Sequence, residues 1–185
     1  MKNTNIIIVG VGGQGILLTS RILGCLALEM GEQVKVSEVH GMSQRGGSVI
    51  THVRIGQDIC SPLIDPGEAD FVISFEKLEA LRAEHFLRPG GILISNSQEI
   101  LPMPVIMGAA AYPREAPRTE NAVLLDALAL AAAAGSERAV NIVLLGVLAR
   151  YLDWPEKKWE QAIAACVPSK TLEINLRAFR AGREA

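Results

Sequence analysis

Cysteine is scarce in this sequence, and the few cysteines are far apart. The 185 residues include three cysteines, none of them in a C-x-x-C arrangement. An odd, widely spaced set shows no disulfide framework and supplies too few ligands for a four-cysteine zinc or iron–sulfur site. We therefore expect this chain to hold no metal, and we expect each cysteine to be a small, buried apolar residue. The three positions are Cys25, Cys60 and Cys166.

An excess of basic charge and any long apolar run are also missing. Lys and Arg number 18 against 20 Asp and Glu, for a net charge of -2. Nucleic-acid binding usually needs a basic face, so this balance gives no electrostatic case for it. The apolar runs are far shorter than the ~18 residues of a membrane span, and the first is too short for a signal peptide. We therefore predict a cytoplasmic protein with no nucleic-acid or membrane partner.

Three familiar catalytic or binding motifs are absent from the sequence. There is no Gly-Lys-Ser/Thr of a Walker A loop, no H-E-x-x-H and no G-x-S-x-G. The histidines therefore have structural interpretations. We expect His52 to form a sheet-surface pair with Arg54, and His85 to contact the last carbonyl groups of a helix.

The length and the apolar pattern predict one domain over residues 1–185. With 49% hydrophobic residues the chain can bury a full core. Alternating β-branched runs and helical periodicities predict a three-layer α/β/α, Rossmann-like domain with C-terminal helices. The proline-rich segment 101–118 is expected to be irregular, with a possible edge strand at 105–107. The predicted strands are 5–9, 34–39, 48–55, 70–75 and 91–95, and the predicted helices are 15–30, 76–86, 121–134, 140–152, 155–167 and 169–181.

The short connection at 40–47 predicts the direction of one strand. A parallel crossover needs a dozen or more residues, usually including a helix, and this connection is shorter than that. We therefore predict that the strand at 48–55 runs antiparallel to its neighbour, which makes the sheet mixed. Two glycine-rich turns should then lie at the same edge of that sheet.

The first of these turns follows the first predicted strand. Residues 10–15 read Gly-Val-Gly-Gly-Gln-Gly and fit G-x-G-x-x-G, and Glu38 lies near the distance at which an acid would meet a ribose. Such glycines either expose backbone N–H groups to a phosphate or only permit a close approach of helix and strand. Gln14 either donates to a ligand or caps the turn. The predicted antiparallel strand weighs against a nicotinamide or flavin cleft, which needs a third parallel strand.

The second turn carries more chemistry than a simple connector needs. Residues 40–47 read His-Gly-Met-Ser-Gln-Arg-Gly-Gly. Arg45 is able to clamp a phosphate or a partner carboxylate, and the N–H groups of Gly46 and Gly47 are able to form an anion-binding nest. The alternative is that Arg45 forms a solvated or internal ion pair.

The two turns and their flanks resemble a known family. Residues 9–16, 37–48, 52–55, 141–146 and 173–179 are similar to the gamma-type subunits of 2-oxoacid:ferredoxin oxidoreductases, so the resemblance covers nearly the whole chain. The Met-Ser-Gln-Arg-Gly-Gly of 42–47 favours the arylpyruvate branch, and the chain is most similar to the small subunits of the indolepyruvate enzymes. Pyruvate, 2-ketoisovalerate and 2-oxoglutarate stay open as substrates.

The resemblance implies a division of labour between chains. The complex would oxidatively decarboxylate a 2-oxoacid with coenzyme A as co-substrate and pass the electrons to ferredoxin. A large alpha subunit would carry thiamine diphosphate and the 4Fe-4S clusters. This chain would be an accessory subunit, inactive alone and able to form a homodimer when isolated. The sequence agrees, because it has no Gly-Asp-Gly that would begin a thiamine diphosphate motif.

The expected site residues come from the two turns, and none is expected to be catalytic. Two rivals remain, a free-standing NAD(P)- or FAD-binding oxidoreductase and a non-catalytic interaction domain, because a fold alone does not choose a function. The residues expected to contact a cofactor are Gly12, Gly13, Gln14, Ser43, Arg45, Gly46 and Gly47. Those expected at the partner interface are His40, Met42, Gln44 and Arg45.

Overall fold

A single mixed sheet organises the part of the chain that the structure describes. The structure is a computed structural model that describes residues 3–40 and 47–185, with the backbone alone at His40. Within these ranges the strands are β1 (Thr4–Val11), β2 (Gln33–His40), β3 (Ser48–Gly56), β4 (Ala69–Ser74), β5 (Leu87–Asn96) and β6 (Ala122–Leu125). Their order across the sheet is β2-β3-β1-β4-β5-β6.

The direction of β3 confirms the prediction from the short connection. β3 pairs antiparallel with β1 on one side and with β2 on the other, so that Val53 lies opposite both Ile6 and Val36. β4, β5 and β6 follow β1 in parallel. The result is the expected mixed sheet, in which an antiparallel strand separates β1 from β2.

Helices cover both faces of the sheet. They are α1 (Ile16–Glu29), α2 (Lys77–Ala83), α3 (Met103–Ile106), α4 (Ala127–Ala134), α5 (Val140–Ala149), α6 (Glu156–Cys166) and α7 (Leu172–Glu184). One core cluster joins the sheet to α1 and α4 to α7, for example through Ile22, Leu144 and Phe179. A smaller cluster on the opposite face includes Ile64 and Ala80, the latter in α2. This is the predicted α/β/α arrangement.

Helix α5 is the centre of the larger cluster. Every residue of Val140–Ala149 is buried, because the sheet, α1, α4 and α7 surround this helix. An apolar helix of this kind is typical of the core of a globular domain. Within the described ranges, no helix has the length and apolar character needed to cross a membrane.

Two glycines allow α5 and α7 to approach closely. A Cβ added at Gly146 would overlap the carbonyl oxygen of Phe179, and a Cβ added at Gly182 would overlap the carbonyl oxygen of Val143. Each glycine therefore faces the backbone of the other helix. Any larger side chain at either position would force the two helices apart.

Two predicted elements were wrong in type. The start of the predicted helix 121–134 is the strand β6, and the helix begins only at Ala127, after the capping residue Asp126. Hydrogen bonding to β5, with Leu93 opposite Ala122, stabilises that strand. The possible edge strand at 105–107 is absent, because the segment forms the short helix α3, which has Pro102 as its N-cap and Pro104 in its first turn.

Candidate functional site

The two glycine-rich turns meet at one edge of the sheet, as expected. Gly12 follows β1, Gly47 precedes β3, and the N–H of Gly12 donates to the carbonyl of Gly47 over 3.1 Å. The antiparallel register explains this contact, since Val11 at the end of β1 lies opposite Ser48 at the start of β3. Gly47, which directly precedes β3, therefore lies beside the first turn.

The same edge contains a topological switch point between β1 and β4. The chain leaves β1 through α1 on one face and leaves β4 through α2 on the other face, in opposite directions along the sheet. In α/β sheets a crevice forms where the connections diverge in this way. A cleft of about 620 Å³ lies here, and its lining includes Gly13, Gln14, Leu18, Phe75, Arg138 and Asn141.

The cleft has both apolar and hydrogen-bonding walls. Leu18, Leu128 and Val140 supply apolar surface, and Gln98 and Asn141 supply amide groups. Among the described residues that line it, Arg138 is the only cation and Glu137 the only carboxylate. Such a cleft suits a ligand or a partner segment with apolar and polar parts more than it suits a compact anion.

The first glycine turn adopts backbone conformations that favour glycine. Gly13 has a φ of 95° and Gly15 a φ of 90°, both in the left-handed region that other residues rarely adopt. A Cβ at Gly13 would meet open space, whereas one at Gly15 would press on the side chain of Asn141 at 3.1 Å. Gly13 is therefore the residue whose backbone is open to the cleft.

Gln14 connects the first turn to the end of β4. Its Oε1 accepts a hydrogen bond from the N–H of Val11 at 2.7 Å, and its Nε2 donates to the carbonyl of Phe75 at 3.3 Å. The structure shows Gln14 as a cap of the turn, because its side-chain oxygen and nitrogen both have partners within the chain. To contact a ligand, Gln14 would use the second N–H and the second lone pair of the same amide group.

Asn96 provides a matching connection at the end of β5. Its Nδ2 donates to the carbonyl of Phe75 at 3.2 Å, and its Oδ1 accepts from the N–H of Ala127, the first residue of α4, at 3.1 Å. Asn96 is fully buried. The ends of β1, β4 and β5 are thus joined through one carbonyl group, that of Phe75.

Glu76 is a buried carboxylate just after β4. Its Oε2 caps α2 by accepting from the N–H of Glu79 at 2.9 Å, and its Oε1 accepts from the N–H of Ile100 at 3.1 Å and from the hydroxyl of Tyr112. Burial is the main cause that raises the pKa of Tyr112 above its usual value, and the hydrogen bond to Glu76 raises it further. Tyr112 therefore stays protonated and holds the segment 101–118 against the sheet edge.

Glu79 fixes the point where the second glycine turn re-enters the sheet. Its Oε2 accepts from the hydroxyl of Ser48 at 2.5 Å, and its Oε1 accepts from Arg82 at 2.6 Å. Ser48 is the first residue of β3 and directly follows Gly47. Sequence reasoning missed Glu76 and Glu79; an acidic residue at a helix start after a buried strand was the one signal available.

The structure describes only part of the predicted site. Gly12, Gly13, Gln14 and Gly47 lie together at the sheet edge. His40 pairs with Val49 through its backbone, and nothing is described of its side chain. The remaining predicted positions lie outside the described residues: Met42, Ser43, Gln44, Arg45 and Gly46.

The prediction for His52 was wrong, and that for His85 is confirmed. His52 is buried, with 7% of its surface exposed, and its Nδ1 accepts from the N–H of Ile64 at 3.1 Å. Its ring also packs edge-on against Phe86. The loop through Ile64 covers this face of β3, which the sequence pattern did not reveal. His85 donates through Nδ1 to the carbonyl of Arg82, near the end of α2.

The sequence predicted no metal site and three buried cysteines. Across residues 3–40 and 47–185 no cluster of three or more His, Cys, Asp or Glu side chains is placed to hold a metal ion. Cys60 is exposed, so its predicted burial was wrong, and Cys25 and Cys166 are half-buried. Cys60 lies in the loop after β3, where no element covers it.

Two solved structures share the fold of this chain. The gamma subunit of a keto/oxoacid ferredoxin oxidoreductase from Geobacter sulfurreducens matches with a TM-score of 0.75 and 23% identity, over 98% of this chain and 96% of that one. The pyruvate oxidoreductase subunit PORC from Thermotoga maritima matches with a TM-score of 0.74 and 23% identity, over 100% of this chain and 97% of that one. The fold is thus that of the gamma-type subunits.

The sequence comparison identifies the family. The family model described as pyruvate ferredoxin/flavodoxin oxidoreductase matches residues 5–185, and the chain belongs to this family. The indolepyruvate oxidoreductase subunit IorB of Thermococcus kodakarensis is 43% identical over 100% of this chain and 96% of its own length. The IorB subunit of Archaeoglobus fulgidus is 42% identical over 96% of this chain and 92% of its own length. The resemblance read from the two glycine turns is therefore confirmed.

Proposed function

We propose that this chain is the small, accessory subunit of a 2-oxoacid:ferredoxin oxidoreductase that acts on indolepyruvate or a related arylpyruvate. The observation that carries the proposal is a difference in identity between branches of the family. Four IorB subunits are 38% to 43% identical to this chain. Subunits VorA and KorC, named for ketoisovalerate and 2-oxoglutarate enzymes, are only 27% to 29% identical. The arylpyruvate branch is thus favoured over the others.

The proposed division of labour places the redox chemistry in the partner. Thiamine diphosphate supplies carbanion chemistry when bound, and 4Fe-4S clusters accept the electrons, both in a large alpha subunit. This chain has three cysteines in its whole sequence, too few for a four-cysteine cluster. Residues 1–185 would act as one cytoplasmic domain that is inactive alone and able to form a homodimer when isolated.

The sheet edge is the surface we propose for the partner and for coenzyme A. The hydrogen bond between Gly12 and Gly47 brings the two glycine turns together beside the cleft. Arg45, Ser43 and the N–H groups of Gly46 and Gly47 would contact coenzyme A phosphates or partner carboxylates, next to Gly13 and Gln14. His40, Met42 and Gln44 would lie against the partner. Ser48, which directly follows Gly47, donates a hydrogen bond to Glu79.

Topology argues against a free-standing dinucleotide enzyme. In a mononucleotide-binding unit the strand reached through the first helix lies beside the first strand. Here the antiparallel β3 lies between β1 and β2. Saturable binding of NAD(P) or FAD by the isolated chain, with loss of binding in Gly12→Val, would support that rival instead.

Anaerobic co-purification tests the proposed function. A tagged form of this chain, expressed with its large subunit, should retain a brown, thiamine-containing partner and reduce ferredoxin with coenzyme A and indolepyruvate. We expect kcat/KM for indolepyruvate to exceed that for 2-oxoglutarate or 2-ketoisovalerate by roughly tenfold or more, the discrimination that one pocket contact provides. A pair that prefers either of those acids would contradict the branch, and a chain that captures no large subunit would contradict the accessory role.

Arg45→Ala tests the proposed role of the second turn. We expect a raised KM for coenzyme A or weaker assembly with the large subunit. Arg150→Ala is the matched control, because Arg150 is an exposed arginine at the other end of the strands. It lies beside Tyr151, whose ring contacts Phe71 near the amino end of β4. Unchanged coenzyme A dependence and assembly in Arg45→Ala would show that this arginine forms only a solvated or internal ion pair.

A further inference from the structure

Two cysteines that are distant in sequence have adjacent thiols. The Sγ atoms of Cys25 and Cys166 lie 3.3 Å apart, although 141 positions separate them in the chain. Cys25 lies within α1, and Cys166 is the last residue of α6. The S–H of Cys166 donates to the sulfur of Cys25. Neither thiol has a part in the site at the sheet edge.

The packing of α1 on α6 holds these two thiols together. The two helices are in extensive contact, and an ion pair of 2.9 Å joins Lys158 of α6 to Glu29 of α1. A disulfide has an S–S distance of about 2.05 Å, so the sulfurs need to approach by roughly 1.2 Å.

We propose that Cys25 and Cys166 form an intramolecular disulfide when the chain meets a peroxide. In the first step one thiol loses its proton and the thiolate attacks a peroxide oxygen. The O–O bond breaks, a sulfenic acid forms, and the departing hydroxide takes up the released proton to become water. In the second step the other sulfur attacks the sulfenic sulfur, the S–S bond forms, the S–O bond breaks, and a second water leaves. The two sulfurs lose two electrons in total, which reduce one hydrogen peroxide to two water molecules.

The third cysteine differs from this pair in its exposure to solvent. Cys60 is exposed, whereas Cys25 and Cys166 are half-buried. Burial, the hydrogen bond to Cys25 and the charge of that neighbour raise the pKa of the Cys166 thiol to about 11, against the opposing effect of Arg21. Because the thiolate is the reactive form, Cys166 should resist alkylation near neutral pH. Brief alkylation of the folded chain should therefore mark Cys60 first.

Mass spectrometry of the oxidised full-length chain tests the proposal. The reduced chain is treated with hydrogen peroxide, denatured in an alkylating agent and digested without reductant. We expect a linked pair of peptides containing Cys25 and Cys166, one alkylated thiol in place of three, and full reversal by dithiothreitol. The oxidised chain should melt roughly 5–10 °C higher, since a long closed loop restricts the unfolded state.

Three variants make the assignment specific. Cys60→Ser should keep the linked peptides and the rise in melting temperature, whereas Cys25→Ser and Cys166→Ser should lose both. The wild-type peptide map decides the question even where a variant fails to fold. Links through Cys60, or sulfinic acids at Cys25 and Cys166 with no link between them, would overturn the proposal. None of these outcomes depends on the oxidoreductase role, so failure here leaves the proposed function intact.

Discussion

Gly12 and Gly47 are joined by a backbone hydrogen bond of 3.1 Å that links the end of β1 to the start of β3. This bond is the direct contact between the two glycine-rich turns. It lies at the carboxyl end of the parallel strands, where α/β proteins bind their ligands. Buried and half-buried polar side chains support this edge, and they are the best targets for mutation.

Gln14→Ala should destabilise the first turn. The change removes the acceptor for the N–H of Val11 and the donor to the carbonyl of Phe75. Because a partly buried N–H would lose its partner, we expect a loss of about 1–3 kcal/mol in the free energy of unfolding, measured by urea denaturation. Gln161→Ala, at an exposed position of α6, is the control and should stay within about 0.5 kcal/mol of wild type. Equal stability of the two variants would show that the cap of Gln14 is not needed.

Ser48→Ala should weaken the attachment of the second turn. Ser48 donates to the buried carboxylate of Glu79, and hydrogen bonds to charged groups are the stronger kind. We expect a loss of about 1.5–3 kcal/mol in the free energy of unfolding. The exposed Ser169 provides the matched Ser→Ala control. If Ser48→Ala unfolds at the same urea concentration as this control, the bond to Glu79 contributes nothing to stability.

Gly146→Ala and Gly182→Ala should both destabilise the packing of α5 on α7. Each added methyl group would overlap a carbonyl oxygen of the facing helix. Overpacking of this kind costs about 1–3 kcal/mol, and we expect a lower melting temperature in each variant. Gly24→Ala in α1 is the control with the opposite sign, since a Cβ there meets nothing within 4 Å. Its stability should rise by about 0.5–1 kcal/mol, because alanine favours the helix. A rise in all three variants would refute the close approach.

His52 should make the stability of the chain depend on pH. Burial lowers the pKa of His52, and the charge of Asp65 opposes this only in part. The folded chain therefore binds the proton less well than the unfolded chain does, and its stability falls as the pH drops below about 6.5, the ordinary histidine value. We expect His52→Gln to reduce the slope of unfolding free energy against pH between about 6.5 and 5.

The control for this experiment is His85→Gln, which changes an exposed histidine. This variant should keep the wild-type loss of stability in acid. Glutamine at position 52 is still able to accept from the N–H of Ile64 through its Oε1. A wild-type slope in His52→Gln would mean that other groups cause the acid sensitivity.

The sequence predicted local features better than it predicted distant pairings. Helix α1 and strand β1 follow from their own apolar patterns, and the antiparallel direction of β3 follows from the length of one connection. Strand β6 was missed because Ala-Val-Leu-Leu is compatible with either a helix or a strand. Pairing with β5 decides between the two, and that partner lies far away in the sequence.

The candidate site was predictable to a similar extent. The two glycine turns were recognisable because each has an unusual local composition, and their shared edge follows from the strand directions. Glu76 and Glu79 carry no motif, and their importance comes from Tyr112 and Ser48, which contact them across the fold. Burial of His52 likewise depends on the loop through Ile64.

The amino-acid sequence by itself determined the mixed α/β architecture, the position of both glycine turns and the family, since all three depend on local pattern and chain length. Only the tertiary structure decided which polar groups are buried beside those turns and which two thiols meet. The physical reason is that burial and contact depend on the surfaces that distant segments present to one another. Cys25 and Cys166 show this most simply, because 141 positions separate two sulfur atoms that lie 3.3 Å apart.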